Sequence, residues 1–294
     1  MGSGIGRRVD AFVDTVCKGV DRAAQPTVRA ARGRYRQWAG ASGQVRAAEE
    51  ILASYGDVVA GGPFVGMRYR VPAATDLCLG PKLLGHYEAE LFDVVERLCR
   101  RPWKRIVNVG SAGGYYLCGL ALRCPTARSY GFEIQPALQA VARQVASDNG
   151  VAERVVVDGL CTPARLDELA GPSSLIVVDI EGGEEDLLAP DAVPNLAAST
   201  LLIELHDFVR PAISSELLVR FRATHTTEIV LAEPCDWRRH PAAAAVSRRN
   251  RRWALDEQRP AGMRWLVLEP RVVDLRSAPA MSSAGPNAAA TAQP

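Results

Sequence analysis

The stretch Ile106–Leu122, IVNVGSAGGYYLCGLAL, decides the fold. A short buried strand, Ile106 to Val109, runs into Gly110, Ser111, Ala112, Gly113 and Gly114, and a helical stripe starts at Tyr115. Glycines permit positive φ and remove the Cβ atoms that would keep a ligand away from the backbone. The free N–H groups at the start of the following helix favour a negative group. In an open parallel sheet, ligands bind outside the carboxyl ends of the strands, which is where this loop falls.

Working outward, short β-rich runs alternate with helical ones. Strands are expected at Arg105–Val109, Arg128–Phe132, Arg154–Val157, Leu175–Asp179, Leu201–Leu205, Thr226–Ala232 and Arg264–Leu268. Helices are expected at Tyr115–Arg123, Pro136–Asn149, Pro163–Leu169 and Ser214–Arg222. Runs such as SLIVVD and TLLIEL lack polar alternation, as strands buried on both faces do. The spacing therefore predicts an α/β fold, a mostly parallel seven-stranded sheet covered by helices on both faces. Residues 1–80 form an accessory region. It has short amphipathic helices from Arg7 to Ser54, interrupted at Pro26 and at Gly40–Gly43, then a loop or hairpin over Gly61–Pro81. The main domain covers residues 81–276, entered by a helix from Lys82 to Cys99, with a long connection from Glu233 to Gly262 before the last strand. The tail, residues 277–294, has almost no large apolar side chains and is expected to be disordered.

Composition narrows the function classes. With 294 residues, 48% hydrophobic and 23% charged, the chain is an ordinary globular protein that needs neither metal nor disulfides to fold. A formal charge of +2 gives no general attraction to nucleic acid or membrane. Seven widely spaced cysteines without a C-x-x-C pair fit neither a disulfide framework nor a zinc cluster. No apolar run reaches the roughly 18 residues of a membrane span. Asp10, Asp14 and Lys18 stand where a signal peptide needs an apolar stretch, so a cytoplasmic location is expected.

The loop spacing, G-x-x-G-G, departs from the G-x-G-x-x-G of dinucleotide-binding folds. Glu133 ends the second strand 23 positions after Gly110, and a carboxylate there can accept hydrogen bonds from both hydroxyls of a ribose. The pair points to an adenosine-type ligand; the alternative is a tight strand–helix turn and a solvated glutamate.

The chain resembles class I S-adenosylmethionine (SAM) dependent methyltransferases, and within them the FkbM-like family, in NVGSAGGYY, YGFEIQP and VVDIEGGEEDLL. The resemblance covers roughly Gly80 to Pro270, and the D-I-E-G-G-E of Asp179–Glu184 is its most specific part. It implies a Rossmann-like sheet of order 3-2-1-4-5-7-6 with the seventh strand antiparallel, and SAM as cofactor. It places the methionine part of SAM at Gly110, Ser111 and Gly113, the ribose at Glu133, adenine against Ile134, and the adenine edge at Asp158 and Gly159. A plain turn is the alternative for the last two. It also implies O-methylation of a small molecule or saccharide.

Asp179, Glu181 and Glu184 follow the fourth strand, and Glu204, His206 and Asp207 follow the fifth, so both groups fall at one sheet edge. Asp179 can bond the amino group of SAM or an acceptor hydroxyl, and Glu181 can orient the acceptor. Glu184 and Glu185 read better as first-turn acids of a helix after Gly183. His206 is the residue suited to be general base near neutral pH, or else a buried hydrogen-bonding histidine; His225 reads as structural. Asp179 with His206 or Asp207 could instead hold Mg²⁺, but Gly182 and Gly183 fit the FkbM-like pattern better, and no metal is expected. Gly85–Glu88 either covers the cofactor or continues the helix. The connection contains Asp236–His240 and Ser247–Trp253, an Arg–Trp cluster that can grip a phosphate, a sugar or a nucleic-acid strand, or form a solvated basic face. RNA methylation and a noncatalytic SAM-binding or partner-binding module are the alternative functions.

Overall fold

The computed structural model describes residues 41–232, 235–238, 241–260 and 262–271. The expected helices before residue 41, the tail, and Arg239 and His240 lie outside them. Seven strands form one sheet: β1 (Arg105–Val109), β2 (Arg128–Phe132), β3 (Val155–Asp158), β4 (Ser174–Val178), β5 (Thr200–Leu205), β6 (His225–Leu231) and β7 (Arg264–Pro270). Their order is 3-2-1-4-5-7-6. β3, β2, β1, β4 and β5 are parallel, and β7 runs antiparallel to both β5 and β6. This is the Rossmann-like sheet expected from the sequence.

The helices are α1 (residues 41–55), α2 (Leu79–Leu83), α3 (Phe92–Cys99), α4 (Tyr115–Arg123), α5 (Pro136–Asp148), α6 (Pro163–Leu169), α7 (Glu184–Leu187) and α8 (Ile213–Phe221). Local chemistry sets their starts. Pro136 and Pro163 open α5 and α6, where the missing N–H costs nothing, and the Thr162 hydroxyl accepts from the Arg165 N–H.

Every residue of β4 and β5 is buried, and the two-residue period of the strands sends alternate side chains into opposite layers. Ile106, Leu175, Val177 and Leu202 join one core with α1, α3 and α4, whereas Val107, Ile176, Leu201 and Ile203 join another with α6 and α8. Ala47, Ala48, Ile51, Phe64, Met67 and Tyr69 belong to the first core, so residues 41–80 pack directly on the sheet.

Two local expectations are corrected. The helix expected over Lys82–Cys99 is broken: α2 ends at Leu83, Gly85 and Glu88 take positive φ (69° and 52°), and a 3₁₀ turn at Ala89–Leu91 precedes α3. A Cβ on Gly85 would overlap the Gly61 backbone, and Glu88 is held by distant partners described below. The interruption expected at Gly40–Gly43 is also absent at Gly43, which lies inside α1, and its missing Cβ leaves room for the Trp253 indole. Among the described residues, no helix is long and apolar enough to cross a membrane.

Candidate active site

The sheet's period of two puts Glu204 and His206 on the face of Leu202, and Asp179 on the face of Val177. The carboxyl ends of β4 and β5 therefore bring them together, as expected. His206 is 1% exposed. Its Nδ1 lies 2.7 Å from Glu184 Oε1, and its Nε2 faces Glu181 Oε2 at 3.4 Å, Asp179 Oδ1 at 3.5 Å and Glu204 Oε2 at 3.6 Å. Glu181 is the outermost member, its side chain 77% exposed, on a left-handed backbone (φ 55°) beside Gly182 (φ 105°).

Two neighbours do something other than the sequence suggested. Glu184 does begin α7, but its side chain is fully buried; it takes the His206 ring nitrogen and the Ile180 and Gly182 N–H groups at 3.4 and 3.3 Å. Asp207 turns away from the cluster: it accepts from the Ser214 N–H (3.2 Å) and hydroxyl at the start of α8, and pairs with Arg264. Past the end of β5 at Leu205 the chain turns, and the Asp207 side chain is taken up by the start of α8. His225 is structural, its Nε2 bonded to the Ser199 carbonyl at 2.9 Å and its Nδ1 to the Thr224 hydroxyl.

Crowded, buried charge perturbs these groups. Burial, then the Asp179 and Glu88 charges, push Glu204 up to about 11 despite Arg259. Burial likewise raises Asp179 to about 6. Burial alone would lower His206, but its bond to Glu184 and the surrounding carboxylates outweigh it and hold the ring above its ordinary value. Burial would raise Glu184, and the His206 bond reverses that, keeping it ionised. A buried Glu–His pair facing further carboxylates can bind a cation or take up a proton.

The glycine loop adjoins this cluster. Gly110 has φ 78°, and a Cβ there would overlap the Asp179 carbonyl oxygen, so glycine is required by the close β1–β4 approach itself. Gly113 lies under the Tyr69 hydroxyl. Glu133 Oε2 accepts from the Ala112 N–H (3.0 Å) and Oε1 from the Gln135 N–H (2.8 Å), which ties the end of β2 to the loop and leaves further lone pairs on both oxygens. Ser111 Oγ is buried without a hydrogen-bond partner. Two large apolar side chains stand in solvent at neighbouring strand ends, Ile134 (71% exposed) and Leu160 (73%), each two residues past the paired Phe132 and Asp158. Asp158 is exposed, and a Cβ on Gly159 would only touch the end of the Gln139 side chain at 4.0 Å. An orphan hydroxyl, spare carboxylate lone pairs and exposed apolar strand ends fit a nucleoside with a polar tail.

Sequence reading missed Arg259. Its guanidinium sits among four carboxylates, Glu88 and Glu90 (each 2.6 Å), Glu204 (3.0 Å) and Glu257 (3.2 Å), and Glu88 also receives the Tyr116 hydroxyl. A lone arginine in a long connection carries no local signal. Lys82 was missed too: buried, it pairs with Asp76 at 2.7 Å above the Tyr87 ring, and borders a narrow crevice with Tyr115, Gly110 and Asp179. Of the Gly85–Glu88 segment, Tyr87 lines that crevice, while His86 lines a cavity of about 590 Å³ on the outer side of Arg259. In the Arg–Trp cluster Arg238, Arg248, Arg249 and Arg252 are exposed, as on a solvated basic face, while the tryptophans turn toward the protein. Trp237 and Trp253 line the same cavity, each under its neighbouring arginine, and Ser247 and Asn250 hydrogen-bond to Glu50 of α1.

No family model matches the chain, and no curated protein matches it. Several solved structures are similar. A SAM-dependent methyltransferase from Geobacter sulfurreducens in complex with S-adenosyl-L-homocysteine is 20% identical, with 62% of this chain and 91% of the other covered and a TM-score of 0.39. A putative O-methyltransferase from Klebsiella pneumoniae is 15% identical over 63% of this chain and 81% of the other, TM-score 0.41. An rRNA methylase from Streptococcus thermophilus is 15% identical over 62% and 96%, TM-score 0.42. Likeness at these values carries no functional argument, and the chemistry is read from the site.

Proposed function

We propose that this chain is a SAM-dependent methyltransferase of the FkbM-like type that methylates an oxygen of a small molecule or saccharide. The observation that carries the reading is one sheet edge holding both a glycine loop tied to a strand-end glutamate and, beside it through the Gly110–Asp179 contact, a buried imidazole facing acidic side chains. SAM supplies an activated methyl group, which leaves the protein two tasks: in-line positioning and removal of the acceptor's proton.

In this reading Glu133 holds the ribose hydroxyls, and Ile134 packs on adenine, whose edge meets Asp158 and Gly159. The Gly110–Gly113 backbone and the Ser111 hydroxyl take the methionine end. Asp179 bonds its amino group, and Glu181, at the open side, orients the acceptor. His206 takes up the acceptor's proton, with Glu184 fixing the ring so that Nε2 faces outward and stabilising the charge that forms, since buried Nδ1–H bonded to a carboxylate sets both tautomer and basicity.

The test is incubation with labelled SAM and a panel of sugars, hydroxylated metabolites and RNA, followed by mass analysis. Product on an oxygen-bearing small acceptor that disappears in His206→Ala, with SAM affinity retained, supports the proposal. Labelled RNA alone would move the acceptor class. SAM binding without transfer to any acceptor would favour a noncatalytic module.

A further inference from the structure

We propose that Asp179, Glu181 and His206 form a binding site for a divalent first-row ion, Zn²⁺ or Mn²⁺, with Glu204 on its buried side. The three ligand atoms all lie within 4.8 Å of one another. The imidazole gives the independent sign. His206 is almost wholly buried, yet Nε2 has no polar neighbour nearer than 3.4 Å, beyond ordinary N–H···O bonding distance. What surrounds it instead is three carboxyl oxygens, of Glu181, Asp179 and Glu204, at 3.4, 3.5 and 3.6 Å. In a tetrahedral shell the ligand–ligand edge is about 1.63 times the bond length, so bonds of about 2.1 Å to nitrogen and oxygen place ligands roughly 3.4 Å apart. The Nε2–oxygen spacings are wider than ordinary hydrogen bonds and close to that edge.

The far side of the ring agrees. Glu184 Oε1 lies 2.7 Å from Nδ1, so Nε2 is the nitrogen turned toward the oxygens of Asp179, Glu181 and Glu204. A carboxylate bound to the far nitrogen is also what a metal-bound histidine ordinarily has. Asp179 Oδ1, the atom nearest Nε2 from β4, is buried and has no hydrogen-bond partner. One imidazole with carboxylates favours Zn²⁺ or Mn²⁺ over Mg²⁺, which prefers oxygen and water. Three protein ligands leave a position open at the Glu181 side, where an acceptor hydroxyl can enter and lose its proton more readily.

This inference adds to the methyltransferase reading but does not require it, and the test separates the two. Metal-stripped, tag-free full-length protein is titrated calorimetrically with Zn²⁺ and then, in a second sample, with SAM. One equivalent of Zn²⁺ taken up, Co²⁺ giving the visible absorption of a tetrahedral site, and affinity lower by about tenfold or more in Glu181→Ala and Glu184→Gln are expected. Glu181 is exposed, so its variant folds even where His206→Ala does not. No saturable uptake of Zn²⁺ or Mn²⁺ by the folded wild type, or wild-type affinity in Glu181→Ala, overturns the ion site. SAM uptake without metal uptake overturns the ion site alone, and metal uptake without SAM uptake overturns the methyltransferase reading alone.

Discussion

Glu184 Oε1 lies 2.7 Å from His206 Nδ1, and both side chains are shut away from solvent. Removing one partner of such a pair leaves the other buried and uncompensated, a loss of about 3–5 kcal/mol where a charge is stranded. Glu184→Ala should therefore lower the thermal midpoint and the rate of methyl transfer together. Glu184→Gln, which can still accept from Nδ1–H, should keep most of the stability while the rate falls. Equal rates in wild type and Glu184→Gln would remove Glu184 from the chemistry.

Glu133 should matter for cofactor affinity. Glu133→Ala deletes the proposed ribose acceptor and also releases the Ala112 and Gln135 N–H groups, so calorimetry should show SAM binding weaker by at least about tenfold, since bonds to charged groups are each worth about 1.5–3 kcal/mol. Unchanged affinity would contradict the ribose assignment.

Gly110→Ala tests the contact between β1 and β4. The added methyl meets the Asp179 carbonyl on a backbone with φ 78°, so the variant combines a clash with left-handed strain. Denaturant titration should show destabilisation of more than about 3 kcal/mol, or no folded protein. Gly150→Ala, also at positive φ (67°) but with open space around it, should cost only about 1–2 kcal/mol.

Glu257 should contribute a pH dependence to stability. Burial, chiefly, lifts its folded pKa from 4.5 to about 7, although Arg259 opposes the shift. Between those values the folded state binds more protons than the unfolded state, so stability falls as pH rises from about 4.5 to 7 and then levels off. The limit is roughly 3 kcal/mol at 1.36 kcal/mol per pH unit. Glu257→Gln should flatten this part of the stability–pH curve. A curve with the wild-type slope would show that Glu257 titrates normally.

The sheet was legible because buried parallel strands write themselves as unbroken apolar runs. Tyr115–Arg123 and Pro163–Leu169 form at the expected bounds. The meeting of Asp179, Glu181 and His206 followed from strand ends alone. What the sequence hid depends on tertiary partners. Glu184 looks like any first-turn acid until the fold puts an imidazole beside it. Asp207 adjoins His206 in sequence but points the other way. Gly85 and Glu88 break a good helical pattern only because Gly61 and Arg259 lie against them. Gly43 lies in a helix with the Trp253 indole packed where its Cβ would be.

Arg259 has a consequence for biosynthesis. Glu88, Glu90 and Glu204 are translated well before it, and until the guanidinium leaves the ribosome these acids have no common counter-ion. A chain ending near residue 232 would hold the whole parallel part of the sheet yet lack the guanidinium that these acids share at the edge where β7 pairs with β5. Arg259 thus ties the segments before β1, the end of β5 and the approach to β7 into one charge-balanced knot.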